Sequence, residues 1–182
     1  FHAADNPLPG AADVAIIGGG IVGSSAAYFL AQSGVSVALF EKGRIAGEQS
    51  GRNWGWVRQQ CRSPVELPLM MQSLAIWKEL PARLGEDVGF TQGGTLYLAE
   101  DEAELAGLAG WLAVAREHGL DTRIIAGREL KEVFAAGSRF AGALYTPSDG
   151  RAEPSHAGRA IARGAARAGA RILSHAAVRG IE

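Results

Sequence analysis

The sequence predicts an α/β fold that begins with a strand–helix–strand unit, and three observations support this prediction. Residues 13–17 form a short apolar run that stops at a glycine, as a buried parallel strand does. Residues 21–33 carry an apolar stripe at helical spacing and end before Gly34, a common residue at the end of a helix. Residues 35–40 form a second apolar run rich in β-branched side chains, and Glu41 comes directly after it. Together these segments constitute one βαβ unit.

The rest of the chain predicts a mixture of helices and strands. A helix over 64–80 is expected to be broken at Pro68 and to end before Pro81, since proline disrupts helices. Asp101 and Glu104 resemble a capping box that opens a helix running to about His118. The remaining candidates are strands at 94–99, 122–125, 141–145 and 171–181, and helices at 128–134 and 155–168.

Composition excludes several classes of function. The chain has 182 residues, 47% hydrophobic and 20% charged residues, and a formal net charge of −1, so no basic surface predicts nucleic-acid binding. No apolar run is long enough to span a bilayer, so we expect no integral membrane segment. The histidines form no pair at metal-ligand spacing, so no metal site is predicted. The lone Cys61 rules out an intrachain disulfide and fits a reducing compartment.

The first ten residues do not resemble a signal peptide. We therefore expect a cytoplasmic protein, with peripheral association with a membrane as the alternative. The chain begins at Phe1 and stops after a strand-like run, which favours a piece of a longer protein.

A glycine-rich loop joins the first predicted strand to the first helix. Residues 18–23, with the sequence GGGIVG, match the G-x-G-x-x-G pattern in the strand–loop–helix context that the pattern requires. Gly18 permits a tight turn, Gly20 has no Cβ to obstruct a pyrophosphate, and Gly23 lets helix and strand pack closely. The helix N-terminus, at Ile21 and Val22, offers N–H groups and a positive dipole end to phosphate.

An acidic residue completes the pattern. Glu41 ends the second strand, roughly 20 residues after the loop, where an acid accepts hydrogen bonds from the adenosine ribose. A carboxylate there repels a 2′-phosphate and disfavours NADP. The loop and the acid together predict that the chain binds the ADP part of a dinucleotide.

The choice between FAD and NAD depends on the residues that come after Glu41. An NAD-binding domain usually continues directly with a helix and a strand, whereas here a long insertion precedes the next parallel-strand candidate at 171–181. Residues 43–62 are polar and glycine-rich and include Trp54 and Trp56. Such a segment can supply backbone N–H groups along an extended flavin dinucleotide. FAD is therefore the predicted cofactor, and an NAD-dependent dehydrogenase is the alternative.

Three stretches carry a resemblance to a known family. They are residues 13–42, residues 47–60 (GEQSGRNWGWVRQQ), and residues 149–154 (DGRAEP) with the helix and strand that lead to Val178. Together they resemble the D-amino-acid oxidase-like (DAO) superfamily of FAD-dependent oxidoreductases, which includes glycine, sarcosine and D-amino-acid oxidases and dehydrogenases.

The resemblance implies a Rossmann-like FAD-binding domain interrupted by an α+β substrate domain. By that template, residues 11–84 are the first part of the FAD-binding domain and residues 85–146 begin the substrate domain. Residues 147–182 are the second part of the FAD-binding domain, and the C-terminal remainder, with part of the substrate domain, is absent from this chain.

The resemblance also implies the cofactor-binding residues. Gly18, Gly20 and Gly23, with Ile21 and Val22, match the pyrophosphate loop, Glu41 matches the ribose acid, and Lys42 lies beside it at the adenosine. The remaining matches are Gln49 and Ser50 at the pyrophosphate and ribityl groups, Asn53, Gly55 and Trp56 beside the isoalloxazine ring, and the backbone of Val178 at the adenine.

The implied activity is oxidation of the C–N bond of an amino acid or secondary amine, with hydride transfer to flavin. Oxygen or an electron carrier would reoxidise the flavin, and some members of the family imply assembly into a hetero-oligomer. No catalytic residue is assigned. The alternatives are the NAD-dependent dehydrogenase and a non-catalytic flavin-binding subunit of a larger complex.

Five further side chains need an interpretation. Arg58 is a candidate for binding a substrate carboxylate, because a guanidinium fork matches a carboxylate, and a surface or phosphate contact is the alternative. Trp54 and Trp56 either flank the flavin or pack in a core. Cys61 is interpreted as an unreactive thiol. Asp149, which precedes a glycine, predicts a turn and is assigned no catalysis.

Overall fold

The structure is a computed structural model that describes residues 7–181. Residues 1–6, which make up most of the ten residues compared with a signal peptide, and residue 182 lie outside the described part. The strands are β1 (Val14–Ile17), β2 (Val37–Glu41), β3 (Trp56–Val57), β4 (Thr95–Ala99), β5 (Arg123–Ile125), β6 (Gly142–Thr146), β7 (Gly150–Arg151) and β8 (Arg171–Ser174). The α-helices are α1 (Ile21–Gln32), α2 (Gln49–Arg52), α3 (Leu67–Leu84), α4 (Glu102–Ala109), α5 (Leu112–Glu117), α6 (Gly127–Val133) and α7 (Pro154–Arg167).

The chain divides into two compact units. The first unit comprises Phe1–Gly55, Leu80–Phe90 and Ala152–Glu182, and the second comprises Trp56–Glu79 and Thr91–Arg151. One boundary therefore falls inside α3. Assigning these units to FAD binding and to substrate binding, with the limits expected from the sequence, stays a prediction.

The first unit is built on the predicted βαβ arrangement. Its strands lie in the order β1-β2-β8, and both pairs are parallel. The register sets Ile17 beside Phe40 and Glu41 beside Ser174. The carboxyl ends of these strands therefore lie at one edge of the sheet, which is where open α/β sheets bind ligands.

Small residues let helix α7 approach its neighbours closely. A Cβ at Gly158 would lie 2.7 Å from the Cβ of Ala46, and one at Gly164 would lie 3.3 Å from the Tyr28 ring. The opposite face of the helix is exposed and basic, with Arg159, Arg163 and Arg167 on it. Two of its arginines, Arg163 and Arg167, are bound to the carboxylate of Glu86.

Strand β8 is shorter than the sequence predicts. It ends at Ser174 rather than near residue 181, because His175 adopts a left-handed backbone conformation with φ of 58°. The chain then turns toward β2: the His175 N–H donates to the Gly43 carbonyl, and the Ala176 N–H donates to the Glu41 carbonyl, both at 2.9 Å. The prediction that Val178 belongs to a strand is therefore wrong.

The second unit is built on antiparallel strands in the order β4-β6-β5, with β3 paired to β7. Ile125, Leu130 and Ala143 form a buried cluster there, against which Leu96 and Phe134 pack. This mixed arrangement of helices and strands confirms the expected fold class, α/β with an α+β part.

Two helix predictions need correction. Helix α3 runs through both prolines: Pro68 is its second residue, where the missing N–H has no helical partner to lose. Pro81 lies inside the helix, where a proline is destabilising. The burial of Leu80 and Leu84 beside it offsets that destabilisation. The capping box is present, since the Asp101 carboxylate accepts the Glu104 N–H at 2.9 Å. The helix it opens nevertheless divides into α4 and α5 around a glycine, a weak helix former.

Within residues 7–181, none of the helices combines the length and the apolar character needed to cross a bilayer.

Candidate dinucleotide-binding site

The glycine loop forms the turn that the sequence predicts. Gly18 has a φ of +107°, which side chains other than glycine rarely adopt, and its N–H donates to the Phe40 carbonyl at 2.8 Å. A Cβ at Gly23 would lie only 2.0 Å from the Gly18 carbonyl oxygen. Glycine is thus required at both positions, for conformation at one and for close approach of helix and loop at the other.

The N-terminus of α1 is joined to the segment after β2. The Ile21 N–H donates to the Ser50 hydroxyl oxygen at 2.9 Å, and a Cβ at Gly20 would lie 2.8 Å from that oxygen. The side chain of Val22, in the first helical turn, is 81% exposed. The fold therefore brings Ser50 to the glycine loop and leaves the first turn of the helix accessible to a ligand.

Glu41 connects the two loops at the carboxyl end of the sheet. One carboxylate oxygen accepts the Gly19 N–H at 2.8 Å, and the other accepts the Gly43 N–H at 2.7 Å. The residue is only 9% exposed. Each carboxylate oxygen can accept more than one hydrogen bond, so acceptor capacity remains for a ribose hydroxyl. Glu41 therefore holds the loop, a role that the sequence pattern did not indicate, and its contact with a ribose stays a prediction.

The polar segment after α2 is organised by Asn53. Its side-chain amide donates to the Ser50 carbonyl at 3.1 Å, and its side-chain oxygen accepts the Gly55 N–H at 2.7 Å. Gly55 has a φ of +67°, and a Cβ there would lie 2.0 Å from the Ala152 carbonyl oxygen. The structure thus gives Asn53 and Gly55 roles in shaping the loop. Whether they also lie beside a flavin ring stays a prediction.

Three of the predicted cofactor residues are surface residues of the first unit. Lys42 and Gln49 are exposed, and Val178 is 39% exposed and comes after the turn at His175. Their implied contacts with adenosine, pyrophosphate and adenine stay predictions.

In the second unit, Trp56 and Arg58 belong to one stacked cluster. The Trp56 ring stacks on the Tyr97 ring at 5.8 Å with an interplanar angle of 20°. The Arg58 guanidinium lies over the Trp56 ring, 4.4 Å from its centroid, and donates to the Gln60 carbonyl at 2.5 Å. Contacts of this kind immobilise a guanidinium while leaving its other N–H groups to donate. Trp54, by contrast, is 87% exposed, so the interpretation as a core residue is wrong for it.

Asp149 is a polar residue of this unit whose importance the sequence did not reveal. It is fully buried and accepts the backbone N–H groups of Gln59 at 2.8 Å and Gln60 at 3.2 Å. Burial raises the pKa of its carboxyl, against the lowering effect of these N–H groups. The Asp-Gly pair predicted only a turn, because the partners of the carboxylate lie far away in sequence.

Burial also raises the pKa of the Cys61 thiol, although the nearby Arg58 opposes the shift. A raised pKa means less thiolate at neutral pH and hence a less reactive sulfur. This agrees with the interpretation of Cys61 as unreactive.

The family is established by comparison with known proteins. The family model described as FAD-dependent oxidoreductase, DAO, matches residues 13–182. The chain belongs to this DAO family. The resemblance expected from the three sequence stretches is thereby confirmed, together with FAD as the cofactor, and the NAD alternative is not supported.

Solved and curated relatives agree with the assignment to the DAO family. The chain is 36% identical to L-amino acid deaminase from Proteus myxofaciens, solved in complex with anthranilate, with a TM-score of 0.90 over 96% of this chain and 40% of that chain. It is 33% identical to glycine oxidase from Geobacillus kaustophilus over 91% of this chain and 46% of the relative. It is 28% identical to mitochondrial sarcosine dehydrogenase from Mus musculus over 96% of this chain and 20% of the relative. The chain thus spans less than half the length of these relatives.

The residues of this DAO chain fit the ADP portion of FAD. The loop between β1 and α1 depends on missing Cβ atoms, as the approach of a pyrophosphate requires. The N-terminus of α1 supplies a positive dipole end for phosphate, and Glu41 supplies an acceptor beside the loop.

Proposed function

We propose that the protein is an FAD-dependent oxidoreductase that oxidises the C–N bond of an amino acid or secondary amine. The observation that carries this proposal is the glycine loop, which is locked between Glu41 and Ser50 in a chain of the DAO family. The names of the relatives, an L-amino acid deaminase, a glycine oxidase and a sarcosine dehydrogenase, support amines and amino acids as the substrate class.

The first unit binds the nucleotide end of the cofactor. The first turn of α1 receives the pyrophosphate at its N–H groups, and Glu41 accepts a hydrogen bond from the ribose. Ser50 holds the Ile21 N–H and fixes the start of the helix. FAD held by these residues would supply the two-electron oxidant for the C–N bond.

Two further side chains are proposed to act at the reacting end of the cofactor. We propose that Trp56 contacts the flavin ring and that Arg58 binds the substrate carboxylate. The Arg58 guanidinium is already oriented by Trp56 and by the Gln60 carbonyl, so little side-chain entropy is lost when a carboxylate binds. A carboxylate held there would fix the position of the neighbouring C–N bond.

The first test is an absorption spectrum of the full-length protein purified without added cofactor. We expect flavin bands near ~370 and ~450 nm, and anaerobic addition of glycine, sarcosine or a larger amino acid should bleach the ~450 nm band. A flavin that no amine reduces would instead support a non-catalytic flavin-binding subunit. A spectrum without flavin bands that added FAD does not restore would overturn the proposal.

A matched pair of substrates tests the role of Arg58. Arg58→Gln should raise the KM for an amino acid strongly, because the ion pair with the carboxylate is lost, and should change the KM for the corresponding amine without a carboxylate much less. Equal effects on both substrates would mean that Arg58 does not bind the carboxylate.

A further inference from the structure

Strand β4 presents two side chains, Thr95 and Tyr97, on one face of the antiparallel sheet, because residues two apart on a strand lie on the same side. Backbone pairing with β6 sets Thr95 beside Thr146 and Tyr97 beside Leu144. Thr95, Thr146 and Leu144 are buried. This face of β4 is therefore a fixed surface for a side chain that packs on it.

Trp56 is held by this face at two points. Its indole N–H donates to the Thr95 hydroxyl oxygen at 3.0 Å, and its ring stacks on the Tyr97 ring with 5.8 Å between the centroids. Strand β3 gives Trp56 little support of its own, since it has only two residues, both paired with β7. The hydrogen bond fixes the direction of the indole N–H, and the stacking fixes the plane of the ring.

The guanidinium of Arg58 contacts both rings of this stacked pair. Its central carbon, Cζ, lies 4.4 Å from the Trp56 centroid and 5.7 Å from the Tyr97 centroid, and both distances are within the range of a cation–π interaction. An N–H group at Nη1 donates to the Gln60 carbonyl and fixes one edge of the guanidinium. The Tyr97 ring therefore contacts Trp56 by stacking and Arg58 by cation–π attraction.

We propose that Tyr97 is a positioning residue for the oxidation reaction, which sets the plane of the Trp56 ring and the place of the Arg58 guanidinium. The inference rests on the proposed function, in which these two side chains meet the flavin ring and the substrate carboxylate. Stacking and cation–π attraction both need an aromatic ring, and neither needs the hydroxyl group. Phenylalanine should therefore replace Tyr97 in this role, and leucine should not.

The decisive readout is a ratio of two KM values in the full-length holoenzyme, the KM for an amino acid and the KM for the corresponding amine without a carboxylate. We expect Tyr97→Leu to change this ratio about two- to tenfold in favour of the amine, because Arg58 loses one of its two rings and is held less firmly for the carboxylate. Tyr97→Phe should keep the wild-type ratio. A change in Tyr97→Phe as large as that in Tyr97→Leu would overturn the inference, and so would a wild-type ratio in Tyr97→Leu.

Tyr145→Leu is the matched control for a merely structural effect. Tyr145 lies beside Leu96 in the register of β4 and β6, so its side chain is on the face of the sheet opposite to Tyr97. Tyr145 also contacts an arginine, since the guanidinium of Arg123 lies 5.1 Å from its ring centroid. The same truncation at Tyr145 should leave the KM ratio unchanged. An equal change in both variants would show that loss of a tyrosine from the sheet is the cause, and would overturn the inference.

A double-mutant cycle tests the route through Arg58. In the background Arg58→Gln, which has no guanidinium to position, Tyr97→Leu should cause no further change in the KM ratio. A change that persists in this background would mean that Tyr97 does not act through Arg58. If Tyr97→Leu does not fold, Tyr97→Met takes its place in every comparison, because the flexible methionine side chain fills irregular space without providing a ring.

Near-ultraviolet circular dichroism provides a readout that does not depend on turnover. In the full-length protein, Tyr97→Leu should change the tryptophan bands, and the same substitution in the background Trp56→Phe should leave the remaining tryptophan bands unchanged. Bands that do not respond in the first case, or that still respond in the second, would overturn the positioning of Trp56 by Tyr97.

These measurements separate failure of the inference from failure of the proposed function. Absence of flavin reduction in the wild type would overturn the proposed function, and a wild-type KM ratio in Arg58→Gln would overturn the carboxylate-binding role of Arg58. In either case the dichroism would still decide whether Tyr97 positions Trp56.

Discussion

Replacing Gly23 with alanine is expected to weaken FAD binding through the geometry of the loop. The new Cβ would lie 2.0 Å from the Gly18 carbonyl oxygen and 3.2 Å from the Ile16 side chain, whereas ordinary contacts begin at 3.4 Å. The start of α1 must therefore move by about 1.4 Å relative to the loop. Overpacking of this kind costs about 1–3 kcal/mol. If that cost appears in cofactor binding, FAD affinity falls roughly five- to 150-fold.

The assay is titration of FAD into the full-length apoprotein, monitored by flavin fluorescence, together with the thermal melting of each form. Gly107→Ala is the matched control, because a Cβ at that position in α4 meets nothing within 4 Å. It should leave FAD affinity unchanged and stabilise the protein slightly, by up to about 1 kcal/mol. Wild-type affinity and melting temperature for Gly23→Ala would refute the reasoning.

Three further predictions concern charged and nucleophilic side chains. Glu41→Gln should lower FAD affinity about tenfold or more in the same titration. The NH₂ group of the glutamine would face either the Gly19 or the Gly43 N–H, both of which the carboxylate accepts. Glu86→Gln should lower the free energy of unfolding by roughly 0.5–1 kcal/mol at pH 7, measured by urea denaturation. Hydrogen bonding to Arg163, then to Arg167, lowers the pKa of Glu86, so its contribution is present above the usual carboxyl range and disappears as the pH falls through the lowered pKa. The Cys61 thiol, with its raised pKa, should react with iodoacetamide at pH 8 more slowly than free cysteine.

Each of these predictions has a contradicting outcome. Unchanged FAD binding in Glu41→Gln would mean that its two hydrogen bonds do not maintain the loop. A difference between Glu86→Gln and the wild type that does not shrink as the pH is lowered from 7 through the lowered pKa of Glu86 would show a cause other than charge. Comparison with Cys61→Ser isolates the alkylation of Cys61, and fast labelling of that site would contradict the effect of burial.

The sequence predicts the βαβ unit closely because local signals determine it. The apolar runs stop where glycines permit a turn, and the strands and helix therefore begin and end within about two residues of the expected limits. The last strand is predicted too long because Ala176, Ala177 and Val178 continue an apolar pattern. The left-handed conformation of His175 ends the strand, and hydrogen bonds to the segment after β2 stabilise that turn.

Prediction of the candidate site from the sequence has a similar limit. The positions of Gly18, Gly23 and Glu41 result from a spacing that can be read along the chain. The role of Asp149 depends on partners about 90 residues away, and only the folded chain reveals them. One signal for the stacked cluster was available in the sequence. Thr95 and Tyr97 are two residues apart on a strand, so both side chains must lie on the same face of the sheet.

The double role of Glu41 has a consequence for altering cofactor preference. In many nucleotide-binding proteins the acid at the end of the second strand is the natural position to replace when a phosphorylated ribose is to be accommodated. Here the same carboxylate is buried and accepts the Gly19 and Gly43 N–H groups, so removing it would also destabilise the glycine loop. A change of specificity at this position would need new acceptors for both N–H groups, designed together with the substitution.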